Sequence, residues 1–371
     1  MRRLSLNGRT AIAALFFCLS AGRAWTLDDK VTLYRNNELL NGHVTKDESS
    51  GVDLEITGQG SRQLQPTEVA DIDWDISDKE WRTAIAQYKS GGYGSAAQRL
   101  AGLISEKESL DAFRREAKPY LFYVYADCLY HMGKLSEAVP LFEKFINENK
   151  SSRYVPTAVG SLVDAAIEGH SFEKITPLLA LLRSQGPEQK AQADFYEGRM
   201  LLAQGKPRDA ESKFVAAASG SSVPDAKGMA LMGQAECAIG DKNITKAREL
   251  AQRALTASPS AVVSGAAHLV IGDTLIAEVD TQHPAGEALE NKLLDALLEY
   301  MRVTEQYRGD PRTEPNALLK AGECLQRMSA LPNHGGDRQR AISMFGRLTS
   351  DTKYRNTSWA AEAEKDMQKF R

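Results

Sequence analysis

The sequence predicts a mainly α protein: a solenoid of stacked helical hairpins, preceded by a small all-β, barrel-like unit of five strands. Three observations carry this. From Ser77 onward Ala, Leu, Glu, Lys and Gln dominate, and apolar residues return every three and four positions, which is the helical period. Within that region a small residue returns at Ala126, Gly198, Gly233, Gly272 and Gly322, as in a repeat array. Residues 30–75 instead alternate apolar and polar between Gly and Asn turns, which is the strand period.

The 371 residues are 42% hydrophobic and 26% charged, with a net charge of −3. That balance excludes a disordered chain and a multi-span membrane protein. Residues 1–24 hold Arg2, Arg3, Arg9 and Arg23 and no acid, then the apolar run Ala11–Ala21, then Gly22 and Ala24 before Trp25. This is the layout of a secretory signal peptide. The run is shorter than the roughly 20 residues that span a bilayer. Leu15-Phe16-Phe17 before Cys18 lacks the small residues of a lipoprotein site. No second apolar stretch of membrane length is expected, so the exported chain carries no transmembrane span and is periplasmic or secreted.

Export changes the charge balance. Without the four Arg of residues 1–24, 42 basic residues face 49 acidic ones, a net charge of −7. Such a chain is a poor ligand for nucleic acid through bulk charge. Cys128, Cys237 and Cys324 remain, each in an apolar helical stretch and with no C-x-x-C. They read as small packed hydrophobes.

The β domain is expected over residues 25–76. Val31 and Leu33 begin it, and Leu39–Lys46 follows a turn at Asn36-Asn37-Glu38. Gly42 marks a bulge or sharp bend in that second strand. Val52, Leu54 and Ile56 alternate cleanly, Arg62–Gln65 is short, and Val69–Trp74 closes the set. Val31–Trp74 resembles a small Sm-like barrel. Asp71, Asp73 and Asp75 share one side of the last strand, where they suit either a solvated edge or a hard cation.

The α-solenoid is expected over residues 77–371. Trp81 and Tyr88 open one unit. Ala126, Gly133 and Ala138 mark another, and Gly198, Gly205, Ala210 and Phe214 the clearest. Gly233 and Gly240 follow in a unit two residues longer. This pattern resembles the tetratricopeptide repeat family over Lys79–Arg371. The small residue lets helix B of a hairpin approach helix A, and the aromatic fills the gap to the next hairpin, so single hairpins cannot stand alone. About seven hairpins are expected, with Ala360–Arg371 a polar cap. Tyr354, Thr357, Ala360 and Ala363 resemble the hairpin junctions of bacterial periplasmic envelope-assembly repeat proteins. Val279–Glu290 and Met328–Gly336 read as loop insertions.

The resemblance implies that helix A of each unit lines a concave groove. One face of the second unit carries Tyr120, Tyr123, Asp127, Tyr130 and His131, and Phe195 and Arg199 continue it. Ala230 and Gln234, then Lys320, Glu323 and Arg327, extend the same line. Aromatics with a polar tip suit interface anchors; the same residues equally suit packing between hairpins. The paired Lys, Asn and Arg that clamp a peptide carboxylate in the family's best-understood groove are missing.

No P-loop, H-E-x-x-H or G-x-S-x-G occurs, and the six His are scattered. No catalytic residue, cofactor or metal is expected. The sequence thus points to a non-enzymatic scaffold of the bacterial cell envelope that binds a protein or peptide, with cell-wall or outer-membrane association. The alternative is a glycan-binding protein that uses Trp74, Trp81 and Tyr93, with the repeats as spacer.

Overall fold

A computed structural model describes residues 28–34, 37–56, 58–169, 171–307, 313–351, 354–355 and 357–370. The expected signal peptide lies outside the described residues. Strands β1 (Asp29–Leu33), β2 (Leu39–Glu48), β3 (Gly51–Ile56), β4 (Gly60–Leu64) and β5 (Val69–Asp73) form one antiparallel sheet in the order β4-β3-β2-β1-β5. The expected barrel is not closed. β4 and β5 are the two edges, and no register joins them among the described residues. Helices do the covering instead: buried Val31, Leu54, Ile72 and Trp74 share one core with the first hairpins. Gly42 is required by close approach, since a Cβ there would sit 2.3 Å from the Glu55 carbonyl oxygen. The register shift in β2 lies further on, between Val44 and Lys46.

Sixteen α-helices follow among the described residues. The hairpins are α1 (Lys79–Lys89) with α2 (Tyr93–Ser105), then, after the short α3 (Lys107–Ala112), α4 (Lys118–His131) with α5 (Leu135–Glu148). Next come α6 (Val155–Glu168) with α7 (Ile175–Gln185), α8 (Pro187–Ala203) with α9 (Pro207–Gly220), and α10 (Pro224–Gly240) with α11 (Ile244–Ala257). The last are α12 (Ala261–Gln282) with α13 (Glu287–Gln306) and α14 (Thr313–Met328) with α15 (Asp337–Ser350), followed by a single α16 (Ser358–Gln368). From α4 onward successive first helices touch one another, α4 with α6 and so on to α14 with α16. Successive second helices make no comparable contact among the described residues. The first helices therefore form the inner layer of the curve.

The repeat rests on a ring set against a missing side chain. Phe214 of α9 lies between Gly198 of α8 and Gly233 of α10, and a Cβ at Gly233 would fall 2.5 Å from its ring. Tyr300 meets Gly272 and Phe345 meets Gly322 in the same way. Phe142, Phe214 and Phe345 are fully buried, each contributing about 1.5–3 kcal/mol of transfer free energy. Gly133 and Gly205 make their hairpin turns at φ 71° and 72°. In the next hairpin Gly240 still belongs to the helix, and the left-handed position falls to Lys242 at φ 61°.

Two expectations about the later hairpins are corrected. Val279–Glu290 is not a loop insertion: α12 runs to Gln282 and α13 starts at Glu287, so the extra residues lengthen both helices. By length and hydropathy α12 could cross a membrane, contrary to the reading that no second stretch could. Half of that apolar window is buried in the fold, against α10, α11, α13 and α14.

The sheet and the solenoid share their joint. Asp29, fully buried, accepts the Val44 and Asp75 amides, and Arg114 binds its Oδ1 at 2.7 Å. The same guanidinium donates to the Val44 carbonyl and lies 5.2 Å over the Trp74 ring. Arg153 approaches Asp47 Oδ1 at 3.3 Å, and the Ser49 amide donates to Ser151 across the joint. Burial pushes Asp47 up to about 6, against the opposing pull of Arg153.

Candidate functional site

α4 is held by hairpins on both sides, and this divides the expected stripe in two. Tyr120, Tyr123 and Asp127 are buried, at 7%, 7% and 5% exposure, so they are not an open partner surface. Tyr154, at the start of the third hairpin, is the physical reason. Its ring stacks on Tyr120 at 4.9 Å and on Tyr123 at 5.4 Å. Trp81 meets Tyr120 edge-on from the other side. Asp127 accepts a 2.7 Å hydrogen bond from the Tyr88 hydroxyl and lies 3.3 Å from His131 Nε2. Burial, then neighbouring Tyr123 and Asp127, push the Tyr88 phenol far above its ordinary value.

The carboxyl end of α4 stays open. Tyr130 and His131 are half-buried, and His131 stacks on half-buried Tyr93 with centroids 4.4 Å apart. This ring pair is fixed in place by Asp127 beneath it. Phe195 and Arg199 on α8 are likewise half-buried. Arg199 is ion-paired with Asp164 of α6, so it is a rung between inner helices. Lys320 and Asp273 make a second rung at 2.9 Å, and Arg327 and Asp280 a third at 2.7 Å. Between these rungs Ala230 and Gln234 are buried, at 0% and 6%, and drop out of the stripe. Glu323 sits half-buried near Asp366, Asp273 and Glu362; burial is the main cause of its raised pKa, and Lys320 opposes it.

Sequence reasoning missed a recurring carboxylate latch. Glu188, in the first turn of α8, accepts the Ser222 amide at 2.9 Å and the Ser221 and Ser222 hydroxyls. Asp225, in the first turn of α10, accepts the Ser258 hydroxyl. Glu314, in the first turn of α14, accepts the Tyr354 hydroxyl at 2.9 Å. Each acid starts a first helix, and each donor lies in the linker to the following unit. The available signal was an acid just after Pro187 and Pro224, with a serine about 33 residues on.

Trp74 and Trp81 are 4% and 2% exposed, so neither can stack on a glycan. Asp71 and Asp73 face Lys89 at 3.1 and 3.7 Å. Among the described residues no three His, Cys, Asp or Glu side chains are placed to hold a metal ion. Cys128, Cys237 and Cys324 are free and buried, and burial pushes each thiol up to about 12.

Residues 178–262 match the family model for the tetratricopeptide repeat, and residues 316–351 match a second model of that repeat. The chain therefore carries tetratricopeptide repeats. Among solved structures it is similar to PilW, a widely conserved type IV pilus biogenesis factor, at 13% identity and TM-score 0.40, covering 66% of this chain and 98% of that one. It is also similar to a tetratricopeptide repeat protein from Parabacteroides merdae, at 12% identity and TM-score 0.46, covering 78% and 96%. A third is the human IFIT1 dimer with m7Gppp-AAAA, at 16% identity and TM-score 0.48, covering 78% and 62%. A comparison with curated proteins finds no match.

Proposed function

We propose that this chain is an exported, non-enzymatic scaffold of a bacterial envelope that holds a protein or peptide in the groove lined by its first helices. One observation carries the choice of surface. Tyr130 and His131 remain half-open at the carboxyl end of α4 on the inner layer, with half-buried Tyr93 of the second helix α2 stacked on His131 and a buried Asp127 that fixes the imidazole. Aromatic groups held rigid in this way lose little entropy when a partner covers them. The acidic exported chain favours a protein partner over a nucleic acid. Export itself rests on the layout of residues 1–24.

The test has two arms. Fractionation with N-terminal sequencing should find the protein outside the cytoplasm and beginning at Trp25; an unprocessed cytoplasmic protein would overturn the export reading. In-cell crosslinking with mass spectrometry should find a partner that Tyr93→Ala/His131→Ala loses while keeping its melting temperature. A partner held equally well by that variant would move the site off this surface.

A further inference from the structure

His334 lies in the loop that joins α14 to α15. Its Nδ1 is 2.7 Å from Asp337 Oδ2, and its Nε2 is 3.1 Å from Glu290 Oε1. An ionised carboxylate only accepts hydrogen bonds, and a neutral imidazole has a single N–H. Both contacts are hydrogen bonds only when the ring carries two protons. The two carboxylates belong to different helices, Glu290 to the first turn of α13 and Asp337 to the start of α15. The ring therefore ties the loop across the amino end of the preceding hairpin's second helix.

Arg340 binds the second oxygen of Asp337 at 3.0 Å. Asp280 of α12 and Arg327 of α14 pair with each other at 2.7 Å. The loop also packs. Leu331 sits on a cluster of Val279, Leu293 and Met328, and its amide donates to the Met328 carbonyl at 2.8 Å.

We propose that His334 is a protonation-controlled clasp, closed over the Val279–Leu293–Met328 cluster when the ring is an imidazolium and released from Glu290 when the neutral ring keeps its one N–H on Nδ1 for Asp337. Hydrogen bonds to Asp337 and then Glu290 raise the ring above its ordinary pKa. A raised folded-state pKa means that the clasp is complete below about 6.5 and is lost as the pH rises through the raised value. Release frees Leu331 to leave the cluster, so the apolar surface beneath it is offered at alkaline pH and hidden at acid pH.

Hydrogen exchange of the full chain from pH 5.5 to 8.5, corrected for intrinsic rates, reads this directly. The amides of residues 329–337 should lose protection as His334 titrates, and proton NMR should place that titration above 6.5. Glu290→Gln should lower the titration point, and His334→Gln should leave the loop weakly protected at every pH. Circular dichroism at each pH checks that each variant is folded. If His334→Gln fails that check, Glu290→Gln supplies the comparison. Wild-type protection that does not change through the His334 titration, or a His334 that titrates at or below 6.5, would overturn the proposal.

Discussion

Tyr123 and His131 stand about two turns apart on one helix and have opposite roles. Tyr123 is enclosed by Tyr154, Phe142 and Phe145, whereas His131 is half-open. Tyr123→Ala should cost about 3–5 kcal/mol, as buried aromatic truncations do, and His131→Ala about 1 kcal/mol or less; urea denaturation of both variants checks the contrast. Acid should expose a second contrast. Burial raises Asp194, but Lys190 and Arg183 outweigh it and hold its carboxyl below the ordinary range. Glu278 is likewise lowered, first by its hydrogen bond to Lys292. A lowered folded-state pKa stabilises above the unfolded value and is lost as pH falls through the folded one. Wild-type protein should therefore lose more stability between about pH 5 and pH 3 than Arg183→Gln does; equal losses would remove Asp194 from the account. The spacing of 120, 123, 127, 130 and 131 was legible as one helix face. What covers that face was not, because Tyr154 comes from the next hairpin and helical period reports nothing about a neighbour.

At the scale of elements, the ring-on-glycine contacts explain why the repeats were readable. Gly198, Gly272 and Gly322 each admit a specific aromatic, and chemistry so restricted leaves a visible period. The long α12–α13 hairpin was misread because Val279–Glu290 mixes polar and apolar residues, while the fold buries Val279 and leaves the other side to solvent. The sheet joint rests on Arg114. Arg114→Ala leaves Asp29 buried without its cation, and should cost about 3–5 kcal/mol. Arg114→Lys should recover only part of that, since a single ammonium lacks the guanidinium fork that reaches both Asp29 and the Val44 carbonyl. Chemical denaturation of the two variants separates the cases. Glu188→Ala strips acceptors from the Ser222 amide and two hydroxyls, at a cost of about 1–3 kcal/mol. Local hydrogen exchange should rise at residues 221–223 and stay unchanged at the Ser258 linker, because each latch serves its own junction.

Across the whole molecule, sheet and early hairpins share one core, so the β unit is an integral end of the solenoid. Strand number and direction were legible from alternation and turns. The open sheet was not, because strand period is the same whether a sheet's inner face closes on itself or packs on helices. Three ion pairs join neighbouring first helices, and the open aromatic positions of that layer, at the carboxyl end of α4 and on α8, are where the proposed partner would sit. The most direct test places a photocrosslinking amino acid, one position at a time, at His131 and Phe195 on the inner layer and at Val215 and Leu298, which are 45% and 50% exposed on second helices. A discrete partner adduct from the inner positions, absent from the outer ones, is the result expected. Adducts confined to the outer positions, or none from any of the four, would contradict a groove-binding scaffold.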